Sequence, residues 1–306
     1  MAKPKIMVCD QMAEGPLNAL KELFDVDENI GQTPEGLAET IGPYEAIIVR
    51  SATKVREPAI DAAVEAGNLK VIVRGGVGID NIDHEYARSK GIEVMNTPAA
   101  SSISVSELAL GMMLACARHI GMGTHSMKNG EWLKKKLKGV ELYGKTLGII
   151  GYGRIGRLVA DKALALGMNV LAYDPYVKEA SQGVDLTDLE NLLRRSDFIS
   201  LHTPHTPDTH YIINAEALAK MKDGVCIVNC GRGGTLDETA LAEAIKSGKV
   251  AGAALDVYED EKEERGKRFM DLPQVIGSPH VGAGTAEAKA RVGEEVAQIA
   301  IEVANR

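Results

Sequence analysis

The chain has no apolar run approaching the ~20 residues that a membrane span needs, and its 45% hydrophobic content is that of an ordinary globular protein. No membrane partner is expected. It has no basic excess: 35 Lys and Arg stand against 43 Asp and Glu, a formal charge of −8. That balance argues against nucleic acid as a partner, yet leaves room for a local basic pocket around an anionic substrate. It has no C-x-x-C pair. Cys9, Cys116, Cys226 and Cys230 lie in or beside apparent buried strands or in an apolar helix, and no second ligand pair stands near Cys226 and Cys230. Reduced thiols in a cytoplasmic protein, and no metal site, are the expectation. Ile6-Met-Val-Cys9 reads as a strand almost at the start, so no signal peptide is expected either.

What is present is organised around Thr146-Leu-Gly-Ile-Ile-Gly-Tyr-Gly-Arg-Ile-Gly-Arg157. Leu147 to Ile150 read as a short buried strand. Gly151, Gly153 and Gly156 follow with G-x-G-x-x-G spacing, and Leu158, Ala160, Ala163 and Leu164 then recur at helical spacing. A strand feeding a glycine turn that opens a helix is the context of a dinucleotide site. Gly151 suits the tight turn, Gly153 the approach of a pyrophosphate, and Gly156 the packing of helix on sheet. N–H groups at the helix start favour an anion. Met168 to Tyr173 read as the next strand, and Asp174 ends it where a carboxylate bonds an adenosine ribose. No arginine nearby welcomes a 2′-phosphate, so NAD is expected over NADP.

With 306 residues, one or two domains are expected. Strands at Lys5 to Cys9, Ala46 to Val49, Lys70 to Val73 and Ile92 to Met95 alternate with helices at Pro16 to Leu23, Glu57 to Glu65 and Asp83 to Lys90. Such alternation predicts α/β architecture, a parallel sheet covered on both faces. Ser101 to Arg118 reads as a long amphipathic helix, and Lys134-Lys-Lys-Leu-Lys138 as a solvated face or a basic lip. Further strands are read at Phe198 to Leu201, Val225 to Asn229, Ala251 to Leu255 and Val275-Ile276. Helices are read at Asp188 to Arg195 and Asp237 to Ser247, and a closing helix over Thr285 to Ala304.

Ligands collect at the carboxyl ends of strands in open α/β sheets. Two such loops, Arg50-Ser-Ala-Thr53 and Arg74-Gly-Gly-Val-Gly-Ile-Asp-Asn81, carry arginines, and Gly75, Gly76 and Gly78 leave N–H groups suited to a carboxylate. In the second half Arg232, Glu261 and His280 each follow a strand. Hydride exchange between a 2-hydroxy acid and NAD needs a cation for the carboxylate and carbonyl, an imidazole for the proton, and a carboxylate to orient that imidazole. Arg232, His280 and Glu261 suit these roles. Taken singly, each also reads as an ordinary surface residue, and spacing does not choose His280 over His202, His205 or His210.

The sequence resembles the D-isomer-specific 2-hydroxyacid dehydrogenase family over essentially its whole length. The matching stretches are Gly151 to Gly156 with Asp174, Asn229-Cys-Gly-Arg-Gly-Gly234, Gly252-Ala-Ala-Leu-Asp-Val257 and Ser278-Pro-His-Val-Gly-Ala283. Val49 to Val55, Arg74 to Asp83, Met95 to Pro98, Ser126 to Gly130 and Gly144 to Ile150 resemble its phosphoglycerate dehydrogenase branch.

The resemblance implies two Rossmann-like or flavodoxin-like domains with parallel sheets. A substrate-binding domain (1–97, with 285–306 returning to it) would hold an inserted NAD-binding domain (98–284). It implies Arg232 on the substrate, His280 as acid–base and Glu261 as its partner. It places Arg154, Ile155, Thr203, Pro204, Cys230, Asp256 and Gly282 around NAD, with Asp256 at the nicotinamide carboxamide. Val77 and Gly78 would present N–H groups to the substrate, and Arg50 and Arg74 would bind its phosphate. A homodimer joined through the NAD-binding domains is implied too. The reaction implied is the interconversion of 3-phosphoglycerate and 3-phosphohydroxypyruvate, in serine biosynthesis. A glyoxylate or hydroxypyruvate reductase, or a non-catalytic NAD-sensing scaffold of the corepressor kind, are the alternatives.

Two departures stand out. The family's Glu-Pro pair is missing, because Lys262 follows Glu261, so Glu259 or Glu263 compete for the partner role. The chain also stops at Arg306, so no appended regulatory domain is expected.

Overall fold

The computed structural model describes residues 3–261 and 270–304. The chain forms two units, Met1–Ser101 with Ala283–Arg306, and Ser102–Gly282.

The first unit carries strands β1 (Lys5–Val8), β2 (Asp25–Glu28), β3 (Ala46–Val49), β4 (Val71–Arg74) and β5 (Glu93–Asn96). All pair in parallel, in the order β2-β1-β3-β4-β5. This is the flavodoxin-like order, whose switch point falls at β1 and β3. Alternate side chains leave opposite faces of the sheet. Met7, Ile47 and Ile72 pack with Leu37, Ile60 and Ala63 of helices α2 (Pro34–Thr40) and α3 (Glu57–Ala66). Ile6, Val8, Ile48 and Val73 pack the other way, against Leu17 and Leu20 of α1 (Glu14–Leu23) and against Val292 and Val296 from the far end of the sequence. The short helix α4 (His84–Ser89) leads into β5.

The second unit carries β6 (Thr146–Ile150), β7 (Asn169–Tyr173), β8 (Val184–Leu186), β9 (Phe198–Leu201), β10 (Val225–Asn229), β11 (Val250–Leu255) and β12 (Val275–Gly277). They too are parallel, in the order β12-β11-β10-β9-β6-β7-β8. That is the Rossmann order extended by one strand, with its switch point at β6 and β9. One face packs on α5 (Ser102–Ala117), through Val105, Ala109 and Met113, and on α7 (Arg154–Ala165), through Val159 and Ala163. The other packs on α8 (Leu189–Arg195), α9 (Ala215–Lys220) and α10 (Glu238–Lys246), through Leu192, Leu218, Leu241 and Ile245. Helix α6 (Ile120–Lys128) follows α5 after a left-handed residue at His119. The final helix, α11 (Ala286–Ala304), belongs to the first unit and lies against α1 and β4. Among the described residues no single helix is long and apolar enough to cross a membrane.

Several elements depart from the sequence reading. β2 and β8 are edge strands; the Asp-Val-Asp-Glu of β2 has no apolar face to betray it. In α6, Gly121 and Gly123 mask a helix because glycine has poor helix propensity. Helices α2 and α9 are short and were also not anticipated. α5 is not amphipathic. Buried residues surround much of it, and its remaining surface still exposes Ile103 and Leu114.

Candidate active site

Three residues flagged by the sequence follow the carboxyl ends of adjacent strands. Arg232 follows β10, Asp256 follows β11 and His280 follows β12. The loop after β10 is set by Asn229, which is 2% exposed. Its Oδ1 accepts from Gly231 N (3.0 Å), while its Nδ2 donates to Arg232 O (3.1 Å) and to Thr235 Oγ1 (3.3 Å). Thr235 Oγ1 donates to Arg232 O as well, at 2.7 Å. Arg232 is thus held by its own backbone, and its guanidinium Nη1 donates to Gly231 O at 2.7 Å.

Asp256 is 2% exposed and accepts three bonds. Ser278 Oγ donates to Oδ1 at 2.5 Å, Val281 N to Oδ1 at 2.8 Å and Gly282 N to Oδ2 at 2.8 Å. The hydroxyl of Tyr258 lies 2.9 Å from Leu255 O and 3.0 Å from Ser278 O. Inside this frame His280 adopts φ 52°, the left-handed region. That conformation costs a non-glycine residue on the order of 1–3 kcal/mol and persists only where its surroundings enforce it. His280 Nδ1 meets Glu261 Oε1 at 2.7 Å, and both side chains are about half exposed. With Nδ1 on the carboxylate, Nε2 is the nitrogen left to exchange a proton with a ligand.

The competing groups are occupied otherwise. His202 Nε2 bonds Ser200 Oγ at 2.8 Å, and its Nδ1 is buried without a partner although the residue as a whole is partly exposed. Burial pushes its pKa down to about 4, so it stays neutral near pH 7. His205 and His210 bond each other at 3.0 Å, and His210 stacks on Tyr211. Glu259 accepts from Glu238 N (3.1 Å) and Tyr211 Oη (3.1 Å), and Glu238 Oε1 accepts in turn from Glu259 N (2.8 Å). That reciprocal pair anchors the segment two residues before Glu261. Glu263 lies outside the described residues.

The glycine turn follows β6, beside the switch point. Gly151 has φ 93°, and a Cβ there would press on His202 C at 2.8 Å and Thr203 N at 2.9 Å. A Cβ on Gly156 would run into Gly151 O, whereas one on Gly153 would meet nothing within 4 Å. Gly153 is the N-cap of α7 and no side chain caps it. Asp174 accepts from Tyr152 N (2.9 Å) and Tyr176 N (2.9 Å), which ties the acid to the turn. Thr203 Oγ1, beside the turn, is buried without a partner. Open space over Gly153, uncapped helix N–H groups, an orphan hydroxyl and a fixed acid all fit a dinucleotide. Arg154 is exposed and Ile155 half-buried in the first turn of α7, and Pro204 is exposed after Thr203. Cys230 is buried 3.7 Å from Met112 Sδ, and burial together with the Asp256 charge pushes its thiol up to about 12. A thiol so buried is unreactive.

Over residues 110–282 the chain matches the profile of the D-isomer specific 2-hydroxyacid dehydrogenase NAD binding domain. It belongs to that family. The enzyme is an NAD-dependent D-2-hydroxyacid dehydrogenase. It is 50% identical to a hydroxypyruvate reductase of Thermotoga maritima, over 97% of each chain. It is 51% identical to a D-3-phosphoglycerate dehydrogenase of Methanocaldococcus jannaschii, over 96% of this chain and 56% of that one. The chain therefore spans about half the length of the phosphoglycerate dehydrogenases it matches. Among solved structures, D-lactate dehydrogenase of Aquifex aeolicus, complexed with NAD and lactic acid, superposes with a TM-score of 0.86 at 32% identity, over 98% of this chain and 95% of that one.

In the first unit, Arg50 follows β3, Arg74 ends β4, and Val77 and Gly78 lie in the loop after it. Sequence reasoning missed what holds these loops. Asp10 Oδ2 accepts from Arg50 N (2.5 Å) and Thr53 N (3.4 Å). Asn81 Nδ2 donates to Arg50 O and Thr53 O (2.7 Å each), and Asn96 Nδ2 to Val77 O (2.5 Å). Arg50 Nη1 donates to Gln11 O at 3.3 Å, and its Nε is buried without a partner.

The Glu238–Glu259 pair predicts a pH signature. Burial, with the neighbouring acids, raises the Glu238 pKa from 4.5 to about 7. The unfolded chain gives up this proton first, so stability falls as pH rises from 4.5 to about 7, and the loss is complete above that. Glu238→Gln removes the ionisation. Its Tm should exceed that of the parent by about 1–3 °C at pH 8 and by less at pH 5. Thermal melts at the two pH values check this, and an equal difference at both would contradict it.

Proposed function

We propose that the enzyme interconverts 3-phosphoglycerate and 3-phosphohydroxypyruvate, feeding serine biosynthesis, with Arg232, His280 and Glu261 as its working side chains. The observation that carries the catalytic part is the 2.7 Å His280–Glu261 pair, beside a loop whose backbone presents Arg232. NAD, when bound, supplies hydride acceptance and return. Arg232 holds the substrate carboxylate and polarises the 2-oxo group; its planar guanidinium suits both tasks. His280 Nε2 takes the hydroxyl proton in oxidation and returns it to the carbonyl oxygen in reduction. Glu261 orients the ring and stabilises its cationic form. Arg154, Ile155, Thr203, Pro204, Cys230 and Gly282 line the cofactor site.

The phosphate reading rests on the first unit. Arg50 opens the loop after β3 and Arg74 ends the neighbouring β4, before Val77 and Gly78, whose N–H groups serve the carboxylate. Asp10, Asn81 and Asn96 immobilise those loops, as a preorganised anion site requires. A hydroxypyruvate reductase is the second reading, favoured by 50% identity to the Thermotoga maritima enzyme over 97% of its length. The readings separate on phosphate recognition. Arg50→Ala and Arg74→Ala should each raise KM for phosphohydroxypyruvate about tenfold or more, the scale of one lost charge-assisted contact, and KM for hydroxypyruvate by less than about threefold. Equal effects on both substrates, or a parent kcat/KM that is higher for hydroxypyruvate, would favour the second reading.

We also propose a cytoplasmic homodimer joined through the second unit. Four free, buried cysteines accord with a reducing compartment. The unit exposes Ile103 and Leu114 on α5, Ile120 and Met127 on α6, and Trp132 and Tyr143 beyond, the last two about three-quarters exposed. Exposed apolar side chains on consecutive elements support an interface there. Light scattering should give twice the chain mass for the parent and the single mass for Met127→Glu/Trp132→Glu; a monomeric parent would contradict the assignment.

A further inference from the structure

Within the second unit the loops after β9, β10 and β11 meet the start of α10 at one residue, Glu259. Its Oε1 accepts from Glu238 N (3.1 Å), in the first turn of α10, and its Oε2 from Tyr211 Oη (3.1 Å), on the loop after β9. The Glu259 N–H donates in turn to Glu238 Oε1 at 2.8 Å. The backbone here lies directly against the loop that carries Arg232: a Cβ on Gly233 would run into Tyr258 O and stand 2.9 Å from Glu259 N. Tyr211, left-handed at φ 47°, donates its N–H to Gly234 O at 2.8 Å, which ties the loops after β9 and β10 together. The arrangement brings two acids close. Burial, and then the Glu259 charge, raise the Glu238 pKa to about 7. A local conflict of this kind is expected where a site needs a fixed geometry. Two residues further on stands Glu261, about half exposed, whose reach is limited by where its backbone is held.

We propose that Glu238 and Glu259 form a clasp that sets the Glu261 carboxylate against His280, and that both are positioning residues for the proton exchange. The clasp fixes the stretch of backbone from which Glu261 Oε1 reaches His280 Nδ1 at 2.7 Å. A carboxylate that stabilises a developing imidazolium has to be in place beforehand, and a misplacement of about 1 Å is enough to lose rate. Arg232 has a tether of its own, through Asn229 and Thr235, so its grip on the substrate survives when the clasp opens. Loss of the clasp is therefore predicted to lower kcat and to leave KM and cofactor affinity in place.

The proposal rests on the roles given above to His280 and Glu261, and the experiment keeps the two levels apart. Glu259→Ala, Glu238→Ala, Glu238→Gln, Glu261→Gln and the double variant Glu259→Ala/Glu261→Gln are compared with the parent. The assays are steady-state reduction of phosphohydroxypyruvate or hydroxypyruvate, whichever the parent turns over faster, and NADH fluorescence titration. Circular dichroism melts report on folding. Glu259→Ala and Glu238→Ala should each lower kcat about 3- to 10-fold, with KM and the NADH Kd within about twofold of the parent. Glu238→Gln keeps an oxygen to accept from Glu259 N and should recover most of the loss. Glu261→Gln should lower kcat at least as far. Adding Glu259→Ala to it should then change kcat by less than about twofold, because the clasp has nothing left to place. If Glu261→Gln is impaired while Glu259→Ala and Glu238→Ala match the parent, the clasp falls and the Glu261 assignment stands. If Glu259→Ala lowers kcat as much beside Glu261→Gln as it does alone, the pair acts elsewhere and the proposal is overturned. If Glu261→Gln turns over as the parent does, the assignment of Glu261 fails and the clasp fails with it. Should Glu259→Ala prove unfolded, the two Glu238 variants decide the matter.

Discussion

In the proposed reaction the His280 ring gains and loses a proton at each turnover and needs a fixed negative partner, and the 2.7 Å contact of its Nδ1 with Glu261 Oε1 provides one. The rest of the site is arranged so that this contact holds. Both side chains are about half exposed, so the pair itself contributes little to stability. Its geometry has to be supplied by buried neighbours. Asp256 and Ser278 grip the imidazole's loop, and the Glu238–Glu259 exchange of carboxylate and N–H grips the segment that carries Glu261. The half-exposed pair is thus held in place by hydrogen bonds of more buried neighbours.

The parallel Rossmann sheet explains why these groups meet. Every strand of such a sheet delivers its following loop to the same edge, so residues far apart in sequence become neighbours once β10, β11 and β12 pair. The same edge holds the switch point at β6 and β9, where the glycine turn, Thr203 and Asp174 fit NAD. The first unit repeats the device with its own switch point at β1 and β3, and there the loops present arginines. One architecture is used twice in a single chain, fitting a dinucleotide in the second unit and, in the proposed function, an anionic acid in the first.

Much of this was legible in the sequence, and the exceptions have causes. The central strands announced themselves as apolar tetrads such as Ala46–Val49, because strands covered on both faces tolerate few polar residues. The edge strand Asp25–Glu28 did not, since its side chains are largely solvated. The glycine turn and Asp174 were readable from spacing. His280 was not separable from His202 by pattern alone; burial of the His202 ring and the Glu261 contact of His280 tell them apart, and both depend on tertiary structure. The sequence assigns no role to Asn229, Ser278, Asp10 or Asn81, although three of them stand in the motifs. Ser278, Asp10 and Asn81 look like ordinary turn residues, and what they do exists only in a hydrogen bond to another loop, while Asn229 ties the loop that follows it. A polar residue at the last position of a buried strand, as Asn229 is, was the one available hint.

The most direct measurement is turnover of phosphohydroxypyruvate by His280→Ala, with NADH affinity determined on the same sample. If His280 is the proton-exchanging group, kcat falls by about 10²- to 10⁴-fold while the NADH Kd stays within about twofold. Turnover within about tenfold of the parent, at an unchanged NADH Kd, would show that the proton is handled elsewhere and contradict the account.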